Sequence, residues 1–124
     1  MTPASSSFSA DDREIDARTQ LIELSGEVDL YTAPELKERL GRAIDAGKHR
    51  IVVDLSATTL IDSTALGVLV GGVKRLRPEG GAIAIVCDEP NVRKVFEITG
   101  LDRVFTICDT REQALEAVAA EDAS

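Results

Sequence analysis

Tryptophan is absent from this chain of 124 residues, and aromatic side chains make up only 3% of it. A core built without large rings has to be aliphatic, drawn from Val, Ile, Leu and Ala. Histidine occurs once, at His49, so a mechanism that needs an imidazole base has a single position to draw on. With two cysteines, Cys87 and Cys108, there is no disulfide framework to read. Both stand at the ends of apolar runs, where small buried hydrophobes are the expected role. No apolar run reaches the roughly 18–20 residues that cross a bilayer. The opening MTPASSSFSA carries neither basic residues nor an apolar block, so it does not read as a signal peptide, and the expected location is cytoplasmic. Basic residues are outnumbered, 14 against 22 acidic, for a formal net charge of −8. That balance argues against duplex nucleic acid and anionic membranes, whose binding draws on Lys and Arg to neutralise phosphate.

What is present is ordinary for a soluble globular protein: 44% hydrophobic and 29% charged residues. The length suits one domain with one core, expected over residues 8–118 of 1–124, with residues 1–7 and 121–124 frayed. FSADDREIDA can form a weak edge strand. TQLIEL (19–24) reads as a strand ended by Ser25-Gly26. A helix follows, with Thr32 as N-cap, Glu35 completing a capping box, Pro34 in the first turn and Gly47 closing it. IVVDL (51–55) is short, apolar and β-branched, the mark of a strand buried on both faces.

After a polar bend, Ala65, Leu66, Leu69, Val70, Val73 and Leu76 recur at helical spacing, with Lys74, Arg75 and Arg77 suited to the negative end of the helix dipole. This helix also carries Gly67, Gly71 and Gly72. Each interior glycine costs about 1 kcal/mol against alanine, which points to close backbone approach by the sheet or a partner. AIAIVC (82–87) is a further buried strand. A helix opened by Pro90 and closed by Gly100, a strand at VFTI (104–107) and a last helix capped by Asp109 or Thr110 complete the chain. The order β-β-α-β-α-β-α-β-α predicts an α/β fold with a mixed, mostly parallel sheet of four to five strands and about four helices.

The position that calls for explanation is Ser63-Thr64, a hydroxyl pair behind Asp62 at the mouth of the second helix. Asp62 or Ser63 can cap that helix, contributing about 1 kcal/mol. Nucleophilic catalysis needs a base within hydrogen-bond reach. His49 lies before the strand that leads to Ser63, roughly 20 Å away at 3.3 Å per residue, and no G-x-S-x-G elbow surrounds the serine. Nor does the chain contain a P-loop, a G-x-G-x-x-G after a strand, or a metal-ligand cluster. Neither enzyme chemistry nor a cofactor or metal is expected.

Three blocks, LSGEVDLYTAPEL, VVDLSATTLIDSTALGVLVGGVKRL and VRKVFEITGLDRVF, together resemble the bacterial anti-sigma factor antagonists of the STAS domain family. The likeness runs from about Gly26 to about Leu115 in the family's order and spacing. It implies a STAS-like fold and a protein that binds an anti-sigma factor, releasing a sigma factor. It further implies that the anti-sigma factor is a serine kinase that inactivates the antagonist by phosphorylation, and that a separate phosphatase reverses this. The family's acceptor, the serine directly after Asp, falls on Ser63, with Thr64 as second candidate. Asp29 and Thr32 match the family's GE-D--TA segment beside the acceptor. Ala65 stands where the family commonly has glycine, which would add a methyl group to the docking surface. That surface is expected to comprise Asp29, Tyr31, Thr32, Asp62, Ser63, Thr64, Leu66 and Gly67, with Leu66 also a candidate for the core. The rival function on the same fold is a ligand-sensing or scaffold module that is never phosphorylated.

Overall fold

The computed structural model describes residues 8–123, and residues 121–123 by their backbone alone; the frayed end expected at residues 1–7 lies outside the described residues. The elements are β1 (Ser9–Asp16), β2 (Thr19–Val28), α1 (Ala33–Asp45), β3 (Arg50–Ile61), α2 (Ser63–Leu76), β4 (Ala82–Val86), α3 (Pro90–Ile98), β5 (Thr106–Cys108) and α4 (Arg111–Ala123). They form a five-stranded sheet in the order β1-β2-β3-β4-β5, antiparallel between β1 and β2 and parallel thereafter. This is the mixed, mostly parallel α/β fold that the sequence predicts.

Three successive crossovers step across the sheet in the same direction, so one handedness puts their helices on one face. There Leu36 and Leu40 of α1, Leu66, Leu69 and Val73 of α2, and Val92 and Phe96 of α3 pack on Ile22, Ile51, Val53, Ile83 and Ile85. The opposite face has a smaller cluster, in which Ala114 and Val118 of α4 cover Val52, Ala84 and Val86. Strands β3 and β4, covered on both sides, are apolar throughout 51–53 and 82–86 for that reason. The core is aliphatic apart from Phe96 and Phe105, which meet edge to face with ring centroids 6.0 Å apart. Cys87 and Cys108 are free and buried, and burial pushes both thiols up.

Gly47 ends α1 as predicted. With φ at +90° it lets its own N–H reach the Ile44 carbonyl and that of Lys48 reach Ala43. Of the three α2 glycines, only Gly72 has a close neighbour among the described residues, since a Cβ there would lie 3.1 Å from Ile83 Cδ1.

Four local expectations are corrected. Strand β2 does not stop at Ser25-Gly26 but continues to Val28, and β3 does not bend after Leu55 but continues to Ile61. The two polar halves pair with each other, with register shifts after Glu23 and after Gly26, where β3 takes an extra residue each time. Backbone pairing needs no apolar side chains, so a pattern of buried residues marks only the half of each strand inside the core. The first irregularity is held by Asp54, 5% exposed, whose carboxylate accepts from the Ser56 N–H and hydroxyl and from Arg111 Nε at 2.6 Å. Arg111 also bridges to Glu23. The capping box is not made: the Thr32 side chain makes no cap bond, because its hydroxyl is taken up by the preceding loop. The fifth strand is Thr106–Cys108, since 101–103 coil into a 3-10 turn and Val104 follows it.

Candidate functional site

Parallel strands deliver their following loops to one edge of the sheet, and ligands of open α/β sheets gather there. Here β2 and β3 bring residues 29–32 and 62–64 side by side. Asp62, extended at φ −113°, ψ −179°, caps α2: its Oδ1 accepts from the Ala65 N–H at 3.1 Å. Its Oδ2 accepts from the Leu30 N–H at 3.0 Å, and its own N–H donates to the Val28 carbonyl. One carboxylate thus sets the start of α2 and ties it to the neighbouring loop.

That loop is closed internally. Asp29 Oδ1 accepts from the N–H groups of Tyr31 and Thr32, while the Thr32 hydroxyl donates to the Glu27 carbonyl and accepts from the Asp29 N–H. Asp29 and Asp62 therefore occupy the same corner, but each carboxylate is turned to backbone N–H groups. Each carboxylate thus pins the backbone of its corner through N–H groups.

The acceptor candidates sit on top of this corner. Ser63 is the first residue of α2 and Thr64 the second, both exposed, and neither hydroxyl is hydrogen-bonded among the described residues. Residues in a helix's first turn have no intrahelical acceptor for their N–H groups, so the positive end of the α2 dipole opens at Ser63. Among the described residues no acidic side chain lies in that first turn. Around it stands an apolar rim, with Tyr31 86% exposed, Leu30 60% and Leu60 44%.

Seven of the eight expected surface residues come together here: Asp29, Tyr31, Thr32, Asp62, Ser63, Thr64 and Gly67. Leu66 does not, since it is 5% exposed and points into the core. Ala65 is likewise fully buried, so its methyl group fills the core and adds nothing to the outer face. A helix shows every third or fourth residue on one side, and Leu66 falls on the stripe of Leu69 and Val73. Leu30 and Leu60 escaped sequence reading. Each is a single leucine in a polar context, and only the path of the chain distinguishes an outward one from a core residue.

His49 stands at the other end of β3. The 12-residue strand between it and Ser63 spans roughly 40 Å at ideal rise, about twice the sequence-based separation. Among the described residues the carboxylates in the serine's own corner are Asp29 and Asp62, both turned to backbone N–H groups.

A family model described as the STAS domain matches residues 12–114. The chain belongs to the STAS domain family. The anti-sigma-B factor antagonist of Staphylococcus aureus is 38% identical over 80 residues, which is 64% of this chain and 74% of that one. An anti-sigma factor antagonist of Mycobacterium paratuberculosis has a crystal structure that superposes with a TM-score of 0.85 at 30% identity, covering 95% of this chain and 99% of its own. The unphosphorylated form of the antagonist SpoIIAA shares the fold at a TM-score of 0.79 and 24% identity, over 90% of this chain and 97% of its own. Among the described residues, no helix of this STAS domain is long and apolar enough to cross a membrane.

Proposed function

We propose that this STAS domain is an anti-sigma factor antagonist switched by phosphorylation of Ser63. In the unmodified state its loop edge binds an anti-sigma factor, which then releases a sigma factor. The same anti-sigma factor is a serine kinase that phosphorylates Ser63, ending the association, and a separate phosphatase restores it. The observation that carries this reading is the Ser63 hydroxyl, exposed and unbonded at the head of α2 beside a corner whose two carboxylates and Thr32 hydroxyl are already paired. The names of the relatives support the class of partner.

The physics is that of a docking switch. A phosphoryl group adds about −1.5 to −2 charges. At Ser63 it meets the positive end of α2, which favours it by about 0.3–1 kcal/mol, so the fold tolerates the modification. A partner that buries this corner has to desolvate the phosphate and face it together with Asp62. A penalty of a few kcal/mol follows, and each 1.4 kcal/mol is tenfold in affinity. Regulation by binding, not catalysis by this chain, suits a serine with no histidine near it.

The deciding experiment incubates the protein with ATP and each candidate anti-sigma kinase from the same genome. Intact mass and site mapping should show one phosphoryl group on Ser63, and binding should be lost in step with it. Ser63→Ala should bind and resist modification. A phosphate on Thr64, or none at all, would refute the assignment.

A further inference from the structure

Glycine is the least favourable residue after proline inside a helix. Contact with Ile83 and Leu40 accounts for Gly72 of α2, but nothing among the described residues accounts for Gly67 or Gly71. Both are exposed, neither has a positive φ, and a Cβ at either would meet no atom within 4 Å. The fold would accept a side chain at each.

What their bare backbone faces is a groove between α1 and α2, about 410 Å³ in volume. Leu40, Ile44 and Val68 line it, Thr64 heads it, and Lys37 and Arg75 carry its charge. From Thr64 to Arg75 the α2 side runs about 16 Å at 1.5 Å per residue, three helical turns. Arg75 is already paired with Asp45 at 2.7 Å, whereas Lys37 has no ion-pair partner among the described residues.

We propose that this groove seats an amphipathic helix of the anti-sigma factor, with its apolar side over Gly67 and Gly71 and a carboxylate on Lys37. The inference rests on the reading of Ser63 given above. Small residues let helix backbones approach closely, and an apolar ridge entering such a groove is a recurrent mode of recognition. Local charge favours this occupant. Two copies of a chain carrying −8 repel each other over their whole surfaces, whereas a partner helix needs only one carboxylate, placed on the unpaired Lys37. The groove is also continuous with the switch, because Thr64 at its head is the neighbour of Ser63. A helix lying in it brings its owner to the acceptor hydroxyl, and a phosphate added at the head repels the same carboxylate.

The test measures affinity by calorimetry, using as probe the purified anti-sigma kinase that modifies Ser63. Gly71→Leu fills the groove and should weaken binding by roughly 30-fold or more, with a melting temperature equal to or above that of the parent protein. Gly67→Ala should also raise the melting temperature while weakening binding, which guards against misfolding as the explanation. Lys37→Glu should cost about tenfold, and Lys94→Glu on α3 should cost nothing, which separates a local contact from net charge. Gly71→Leu binding within about threefold of the parent overturns the groove. If Ser63→Asp still abolishes binding in that case, the switch stands and the groove alone has failed. If no kinase binds the parent protein, both fall. A concentration-dependent dimer that Gly71→Leu abolishes would assign the groove to a second copy and overturn this occupant.

Discussion

The two ends of β3 treat polar groups in opposite ways. Before the strand, Lys48 is buried, with its ammonium donating to Glu14 at 2.6 Å and to the carbonyls of Asp16 and Ala17. Next to it, Arg18 donates to His49 Nδ1 at 2.7 Å, and His49 Nε2 lies 3.3 Å from Glu79. Charged side chains there are matched to one another and close the molecule. After the strand, Asp29 and Asp62 are matched to backbone N–H groups, and the hydroxyls of Ser63 and Thr64 are left over. An end whose side chains satisfy one another has its polar groups committed within the molecule. An end built from backbone and two carboxylates holds its shape while leaving a nucleophilic oxygen outside. The lone histidine, already set apart from Ser63 by its place before the strand, belongs to the first end, held between Arg18 and Glu79.

The contrast breaks most sharply under charge. Ser63→Asp should weaken binding of the anti-sigma kinase about 100- to 1000-fold, equivalent to roughly 3–4 kcal/mol, without lowering the melting temperature. A large loss of stability would mean that the serine is structural, like the residues at the opposite end. Lys48→Met should do the reverse. It strands the Asp16 and Ala17 carbonyls and should cost about 2 kcal/mol in denaturant unfolding, with affinity unchanged. A smaller and mixed effect is expected of Asp62→Ala. Loss of the α2 cap costs about 1 kcal/mol of stability, and release of the Leu30 N–H loosens the loop that carries the apolar rim. Calorimetry and thermal melts on the same sample should show both losses, and a loss of only one would detach the cap from the rim.

How much of this was legible depends on whether a residue's role is local. Caps and stops were readable because they are set within one turn: Asp62 caps α2, Gly47 and Gly100 take left-handed conformations, and Pro90 opens α3. The buried halves of β3 and β4 were readable from their unbroken apolar runs. The polar continuations of β2 and β3 were not, since each is a strand only because the other lies beside it. Thr32 shows the same limit. Its sequence makes a good cap, but Asp29, three residues earlier in the loop, takes its hydroxyl first. For the site, the corner residues could be placed from motif and order. The inward turn of Leu66 and the outward turn of Leu30 and Leu60 depend on tertiary packing.

The smallest expected effect concerns the point where β3 passes from one regime to the other. Burial pushes the Asp54 carboxyl up, but hydrogen bonds from Ser56 and the Arg111 guanidinium outweigh it, so its pKa is held below the ordinary 3.8. A carboxyl whose folded value is depressed adds stability above its unfolded value, and that stability is lost as pH falls through the folded value. For the parent protein the loss therefore belongs below pH 3.8. Arg111→Met removes one of the two opposing influences and leaves the burial in place. The acid-unfolding midpoint should move to higher pH, while stability at pH 7 falls only modestly. Phosphorylation of Ser63 should keep its parental rate if Asp54 acts only within the strand. A slowed rate in a variant that remains folded at pH 7 would show that the irregularity at Asp54 aims the far half of β3 at the partner, and would join the two ends into one device.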